Sequence, residues 1–171
     1  MEDKKSLTRR RILVAAFECI TQYGYAKTTF KDIAKRAGIS RALIYIYFKN
    51  KNDLFVTMTD ERHKSYISLS KATLESGLSQ KEKLRKVIDI WIIDPYRVIV
   101  KSPYPNTWLD ELKNYSGSEM KFRELFIKAM TPLLGHSLAE IVGLSYRGLL
   151  DDRPTVKTLE KRTEVLINII E

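Results

Sequence analysis

The 171 residues are 44% hydrophobic and 30% charged, an ordinary globular composition that allows one or two small domains with a real core. No apolar run approaches the roughly 20 residues of a membrane span, and a single cysteine excludes an internal disulfide and favours a reducing, cytoplasmic location. The formal net charge of +9 is concentrated in residues 1–55, which hold 12 Lys and Arg against 5 Asp and Glu, so a polyanion is a natural partner.

The first predicted helix covers about residues 8–23. Its apolar residues, among them Ile12, Ala16 and Ile20, recur at helical spacing, and Gly24 is a good stop signal. The charged residues before it lack the apolar segment of a secretory signal, so we expect none.

Two short helices joined by a tight turn are predicted next. Thr29 can cap a helix over residues 30–37, and Gly38 can end it. Ser40 can then cap a further helix that runs to about Phe48. Two short helices joined by a glycine-containing turn of three or four residues are the signature of a helix-turn-helix.

The rest of the chain also predicts helices, and strand-like alternation is absent from it. Asn50 can cap a long helix over about 51–75, and a capping box of Ser79 and Glu82 begins the next. Asp94-Pro95 is expected to break that helix and start another. Two last helices are predicted over about 136–150 and 155–170. The predicted fold class is therefore all-α.

Residues 24–55 read GYAKTTFKDIAKRAGISRALIYIYFKNKNDLF. With its Gly-aromatic pair, Thr-Thr, Ile-Ala, Ala-Gly, Ser and Tyr-x-Tyr-Phe at fixed spacing, this segment resembles the N-terminal domain of TetR-family regulators. The resemblance implies a three-helix DNA-binding domain over 1–55 and a helical ligand-sensing and dimerisation domain over 56–171. It also implies a cytoplasmic homodimeric transcriptional regulator, a repressor released from a palindromic DNA operator by a small, largely apolar effector.

The resemblance further implies which residues meet DNA: Thr29, Lys31, Arg41, Ala42, Leu43, Tyr45, Tyr47 and Lys51. Arg41 stands at a base-reading position, and an arginine pairs well with guanine. Lys51 matches a lysine that clamps phosphate at a helix N-terminus. Ala42 and Leu43 depart from the commoner Gly and Thr or Ser; neither side chain can hydrogen-bond, but either could touch a thymine methyl.

In the second domain the resemblance implies dimerisation through the last two helices and, often, an effector pocket. The candidate interface residues are Leu138, Ile141, Gly143, Ser145, Gly148, Leu159, Thr163, Leu166, Ile167 and Ile170. The candidate pocket residues are Trp91, Tyr96, Trp108, Phe122, Phe126, Met130 and Tyr146. Both sets have a simpler alternative, because apolar stripes and aromatic residues at helical spacing often belong to the chain's own core.

Three other functions compete with that of a ligand-responsive regulator. A constitutive, nucleoid-associated DNA-binding protein of the same fold would have a filled second domain, whereas an empty apolar cavity would favour the regulator. An enzyme is not expected, because the chain has no phosphate-cradling glycine loop and no nucleophile motif. His63 and His136 form no metal-ligand pattern with Cys19, so we expect no metal, cofactor or catalytic residue. Membrane-surface binding is disfavoured, since the basic residues do not form one long amphipathic helix.

Overall fold

The computed structural model describes residues 3–105 and 118–170, and every regular element within them is helical, which confirms the all-α prediction. The α-helices are α1 (Lys4–Tyr23), α2 (Phe30–Ala37), α3 (Arg41–Tyr47), α4 (Lys51–Glu75), α5 (Gln80–Ile88), α6 (Asp94–Val100), α7 (Ser118–Leu134), α8 (His136–Asp151) and α9 (Val156–Ile170). None of these described helices is both long and apolar enough to cross a bilayer.

The chain divides into two compact units. Of the described residues, the first unit contains 3–62 and 102–105, and the second contains 63–101 and 118–170. Helix α4 is common to both, since its residues up to 62 belong to the first unit and the remainder to the second.

In the first unit, α1 packs against α2 and the core combines small, branched and aromatic apolar side chains. Ile12, Ile33, Ile44 and Leu54, one from each of α1 to α4, are completely buried. Helix α1 begins one turn earlier than predicted, because the Asp3 carboxylate accepts hydrogen bonds from the backbone N–H groups of the first turn.

The turn between α2 and α3 is built as its sequence predicts. Thr29 and Asp32 form a capping box at the start of α2, in which each side chain accepts from the other's backbone N–H. Gly38 ends α2 with a φ of +64°, in the left-handed region that favours glycine. The Arg11 guanidinium donates to the Ala37 carbonyl at 2.7 Å, which satisfies one of the carbonyls left open at the end of α2.

The predicted break at Asp94-Pro95 in the second unit is wrong. Helix α5 passes through one π-helical turn, Asp89–Ile93, directly into α6, and Asp94 has helical dihedral angles. The π-turn accommodates the proline. The Asp94 N–H donates to the Asp89 carbonyl, and Pro95, which has no N–H, lies in the first turn of α6. The Asp94 side chain pairs with Arg97 at 2.6 Å instead of capping a helix.

Helices α7 and α8 pack closely in the second unit, and Gly143 permits this approach. A β-carbon at Gly143 would come within 3.0 Å of Ile127 Cγ1 on α7, so even an alanine there would require the Ile127 side chain to shift. Helix α9 is joined to α8 by a buried hydrogen bond from the Tyr146 hydroxyl to Thr163 Oγ1, at 3.2 Å.

Candidate nucleic-acid interface

Helix α3 is attached to the first unit along one side and exposed along the other. Ile44 is completely buried, and Phe48, the residue after the helix, is 2% exposed. Arg41, Ala42, Tyr45 and Ile46 are all exposed. A short helix held by a few apolar contacts, with its far side open, is the arrangement by which a helix-turn-helix presents a recognition helix to a DNA groove.

Arg41 and Tyr45 form one row of this exposed side. The Arg41 guanidinium donates to the Tyr45 hydroxyl oxygen at 3.0 Å and its carbon lies 5.5 Å from the centre of the Tyr45 ring. The ring itself packs edge-on against Phe30, with centroids 4.9 Å apart. Tyr45 thereby steadies the arginine, whose planar group carries five N–H donors and can still present a pair of them to a base.

The Lys51 ammonium is engaged inside the first unit. It donates to the carbonyl oxygens of Tyr25, Ala26 and Thr28 at 2.8, 3.2 and 3.1 Å, and it lies 4.3 Å from the centre of the Tyr25 ring. An ammonium group has three N–H donors, and these three carbonyls take one each. In this structure Lys51 fastens the chain between α1 and α2 to the start of α4, and its contact with a phosphate stays a prediction.

The other predicted DNA contacts fall into three groups. Lys31 is exposed on α2, where its charge can act on a nearby phosphate. The Thr29 hydroxyl, in contrast, is used by the capping box, because it donates to Asp32 Oδ2 at 2.6 Å. The same hydrogen bond, with one from the Thr29 backbone, holds the pKa of Asp32 below its ordinary value. Leu43 and Tyr47 are both half-buried on the flanks of α3.

Ile46 belongs to the exposed side of α3 and was missed in the sequence analysis. Its side chain is 74% exposed, a value matched among the exposed large apolar residues of the described ranges only by Ile169. The sequence could have predicted this exposure. A helix turns by about 100° per residue, so Ile46, two positions after the core residue Ile44, lies on the opposite side of α3.

The candidate effector residues form an aromatic cluster in the second unit. The Trp91 ring lies 5.5 Å from Phe122 and 6.1 Å from Phe126, which in turn lies 5.9 Å from Tyr146. Trp91 also donates from Nε1 to Ser70 Oγ at 2.8 Å. These rings fill space against one another in the manner of a core.

The remaining candidates for the pocket are buried or undescribed. Met130 is completely buried, and the Tyr96 hydroxyl donates to the Pro154 carbonyl at 2.7 Å. Burial raises the pKa of Tyr146 well above that of a free tyrosine, so its hydroxyl stays protonated. Trp108 lies outside the described residues.

The candidate dimer residues divide between the chain's own core and its surface. Leu159, Thr163 and Ile167 are completely buried within one chain, and Gly143 faces Ile127 of the same chain, so these four leave the proposed interface. Ile141 is 58% exposed, and Gly148 is exposed with open space where a side chain would be. Leu138, Ser145, Leu166 and Ile170 are half-buried.

Helices α8 and α9 each expose an apolar strip, and of their four residues the sequence analysis named only Ile141. Leu144 on α8 is 50% exposed beside Ile141, and on α9 Val165 and Ile169 are 59% and 74% exposed. Residues three or four apart lie on one face of a helix, so each helix presents a continuous apolar strip.

Comparison with known proteins places the first unit in a family. The family model described as "Bacterial regulatory proteins, tetR family" matches residues 12–58, which run from α1 into α4. The fatty acid metabolism regulator protein of Bacillus subtilis is 36% identical over 78 residues, which are 46% of this chain and 40% of that protein. The HTH-type transcriptional regulator TtgR of Pseudomonas putida is 38% identical over 66 residues, which are 39% of this chain and 31% of that protein.

The matched segments span less than half the length of these curated relatives. The likeness in fold extends further. A TetR transcriptional regulator from Legionella pneumophila superposes with a TM-score of 0.72 over 99% of this chain and 96% of its own, at 22% sequence identity. Residues 12–58 therefore match the helix-turn-helix segment of the tetR family of bacterial regulatory proteins, and the chain as a whole has the fold of a TetR transcriptional regulator.

Proposed function

We propose that this protein regulates transcription by binding DNA with α3 in the major groove. The observation that carries the proposal is the exposed side of α3, where Arg41, steadied by Tyr45, can address base edges. The excess of basic residues in 1–55 supplies the attraction for phosphates. The reported relatives are regulators rather than enzymes, which supports the same conclusion.

We further propose that the protein acts as a homodimer through α8 and α9. The support is the pair of exposed apolar strips, Ile141 with Leu144 and Val165 with Ile169. Such strips expose apolar surface to water unless a partner covers them, and a second copy of the chain offers a matching pair under two-fold symmetry. The half-buried residues Leu138, Ser145, Leu166 and Ile170 and the exposed Gly148 flank them as rim contacts.

Although the rings of the second unit are packed, as expected of a constitutive DNA-binding protein, we propose that a small apolar effector enters between them and releases the protein from its operator. Because Trp91, Phe122, Phe126 and Tyr146 pack on one another, an effector must separate these rings to enter. Helix α4 contributes residues to both units, so a shift of its later turns would be transmitted along the helix to the first unit.

A tenfold loss of DNA affinity requires about 1.4 kcal/mol of coupling, and DNA must weaken effector binding by the same factor. Calorimetric titration of an effector with and without operator DNA tests this, and equal affinities would rule it out.

The test of DNA binding is selection of duplexes from a random pool by the intact protein. We expect a near-palindromic sequence, because a two-fold dimer presents two equal recognition helices. Arg41→Ala should weaken binding by about 1–3 kcal/mol and relax the preference at one base pair in each half-site. Arg41→Lys is the matched control, because it keeps the charge but loses the two-pronged donor face. Recovery of no preferred sequence would contradict the proposal.

A further inference from the structure

The part of α3 that lies farthest from the core is apolar. At about 100° per residue, Ala42 and Ile46 each lie about 160° around the helix axis from Ile44. Ile44 is completely buried in the first unit, whereas Ile46 is 74% exposed and Ala42 is exposed. These two residues are one turn apart and form the outer ridge of α3.

The position of the outer ridge sets Ile46 apart from an ordinary exposed apolar residue. Isolated apolar side chains on a surface are common and need no explanation. The outer ridge, however, lies on the side of α3 opposite the core, the side that a recognition helix turns toward the major groove. The adjacent row, Arg41 and Tyr45, is polar, so α3 presents one hydrogen-bonding row and one apolar row side by side.

We propose that Ala42 and Ile46 read thymine methyl groups in the operator, with Ile46 as a specificity-determining residue. This inference rests on the proposed binding of DNA by α3. Neither side chain can donate or accept a hydrogen bond, and the thymine C5-methyl is the one apolar group that the four base pairs display in the major groove. A G·C pair opposite Ile46 would instead bury its donors and acceptors against a hydrocarbon, which is unfavourable.

The two rows of α3 then have different tasks. Arg41 selects guanine through hydrogen bonds, and the outer ridge selects thymine through its methyl group. Each half-site should therefore contain a guanine and at least one thymine whose methyl group contributes to affinity. This thymine requirement follows from the apolar ridge alone and would not arise if polar side chains occupied both positions.

The experiment uses the operator obtained by selection with the intact protein. Each thymine is replaced singly by uracil, which lacks only the C5-methyl group, and dissociation constants are measured at fixed salt. We expect about fourfold weaker binding for each contacted methyl, the equivalent of one buried carbon. Ile46→Ala should reduce the difference between thymine and uracil at one position at least, while thymines elsewhere in the site behave as in the unmodified protein.

Val14→Ala is the matched control, since Val14 is also an exposed apolar residue of the first unit but lies on α1. It should leave every thymine-to-uracil difference unchanged. Unfolding of Ile46→Ala by urea should match the unmodified protein, because the side chain is largely in water already. Equal binding of thymine and uracil operators at every position, or an unchanged difference in Ile46→Ala, would overturn the inference. Failure to select any sequence would instead overturn the proposed function.

Discussion

The Lys51 ammonium joins two segments of the first unit that are distant in sequence, since it hydrogen-bonds to Tyr25, Ala26 and Thr28. Lys51→Ala leaves these carbonyls without their charged donor. We therefore expect the free energy of unfolding to fall by about 1.5–3 kcal/mol, the usual contribution of a hydrogen bond to a charged group. Urea unfolding followed by circular dichroism measures it.

Lys49→Ala is the control for this substitution, because Lys49 is exposed and two residues away. It should change the unfolding free energy by less than about 0.5 kcal/mol. A Lys51→Ala protein with unchanged stability, and with a salt dependence of DNA binding reduced by about one unit, would show instead that Lys51 serves as a phosphate contact.

The stability of a single helix can depend on pH, and α2 is the clearest case. Hydrogen bonds from Thr29 lower the folded-state pKa of Asp32 below its ordinary 3.8. Ionised Asp32 therefore stabilises the fold fully above about pH 4, and this contribution disappears as the pH falls through the lower folded-state pKa. The difference in unfolding free energy between the unmodified protein and Asp32→Asn should be constant from about pH 5 to 7 and shrink as the pH falls below the ordinary pKa of 3.8. A difference that does not change with pH would contradict the assignment.

The exposed strip of α9 leads to a second prediction at this scale. Ile169→Glu places a charge in the proposed interface, where burying it without a partner is costly. We expect a folded monomer, measured by sedimentation velocity and circular dichroism. Ile167→Glu is the contrasting variant, because Ile167 is completely buried and a charge there should unfold the second unit. An Ile169→Glu protein that remains dimeric at micromolar concentration would exclude α9 from the interface.

The sequence located α2, α3 and α4 almost to the residue, because each has a local signal at its ends: Thr29, Gly38, Ser40 and Asn50. The π-helical turn at Asp89–Ile93 has no such signal. The apolar residues around it are compatible with an α-turn and with a π-turn alike. The pair Asp94-Pro95 can begin a new helix, and it can equally follow a π-turn inside a continuous one. Local rules therefore predicted a break where the helix continues.

At the scale of the whole molecule, two-fold symmetry should make DNA binding depend on the dimer. The Ile169→Glu monomer has one recognition helix, so it should bind a full palindrome no better than a half-site. The unmodified dimer should bind the full site at least about a hundredfold more tightly than the half-site, because the second contact is intramolecular. Fluorescence anisotropy with both duplexes measures the ratio. Equal affinity of the unmodified protein for the two duplexes would contradict binding as a symmetric dimer.

Which surface each apolar helix face packs against was harder to predict than the helices themselves. An apolar stripe on α8 or α9 indicates only that the stripe is covered, and not whether the same chain or a second copy covers it. Leu159, Thr163 and Ile167 serve their own core, while Val165 and Ile169, two positions from Thr163 and Ile167 on the same helix, are exposed. Only the packing of α9 within the second unit distinguishes the two stripes.

The apolar ridge of α3 also has a consequence for epigenetic modification of DNA. Methylated cytosine carries its methyl group at C5, as thymine does, and a ridge without donors or acceptors recognises the methyl rather than the exocyclic group beside it. Replacing a contacted T·A pair by C·G should weaken binding, and methylating that cytosine should restore about fourfold of the loss. Occupancy of a site with cytosine at this position would then respond to cytosine methylation without any change in the protein.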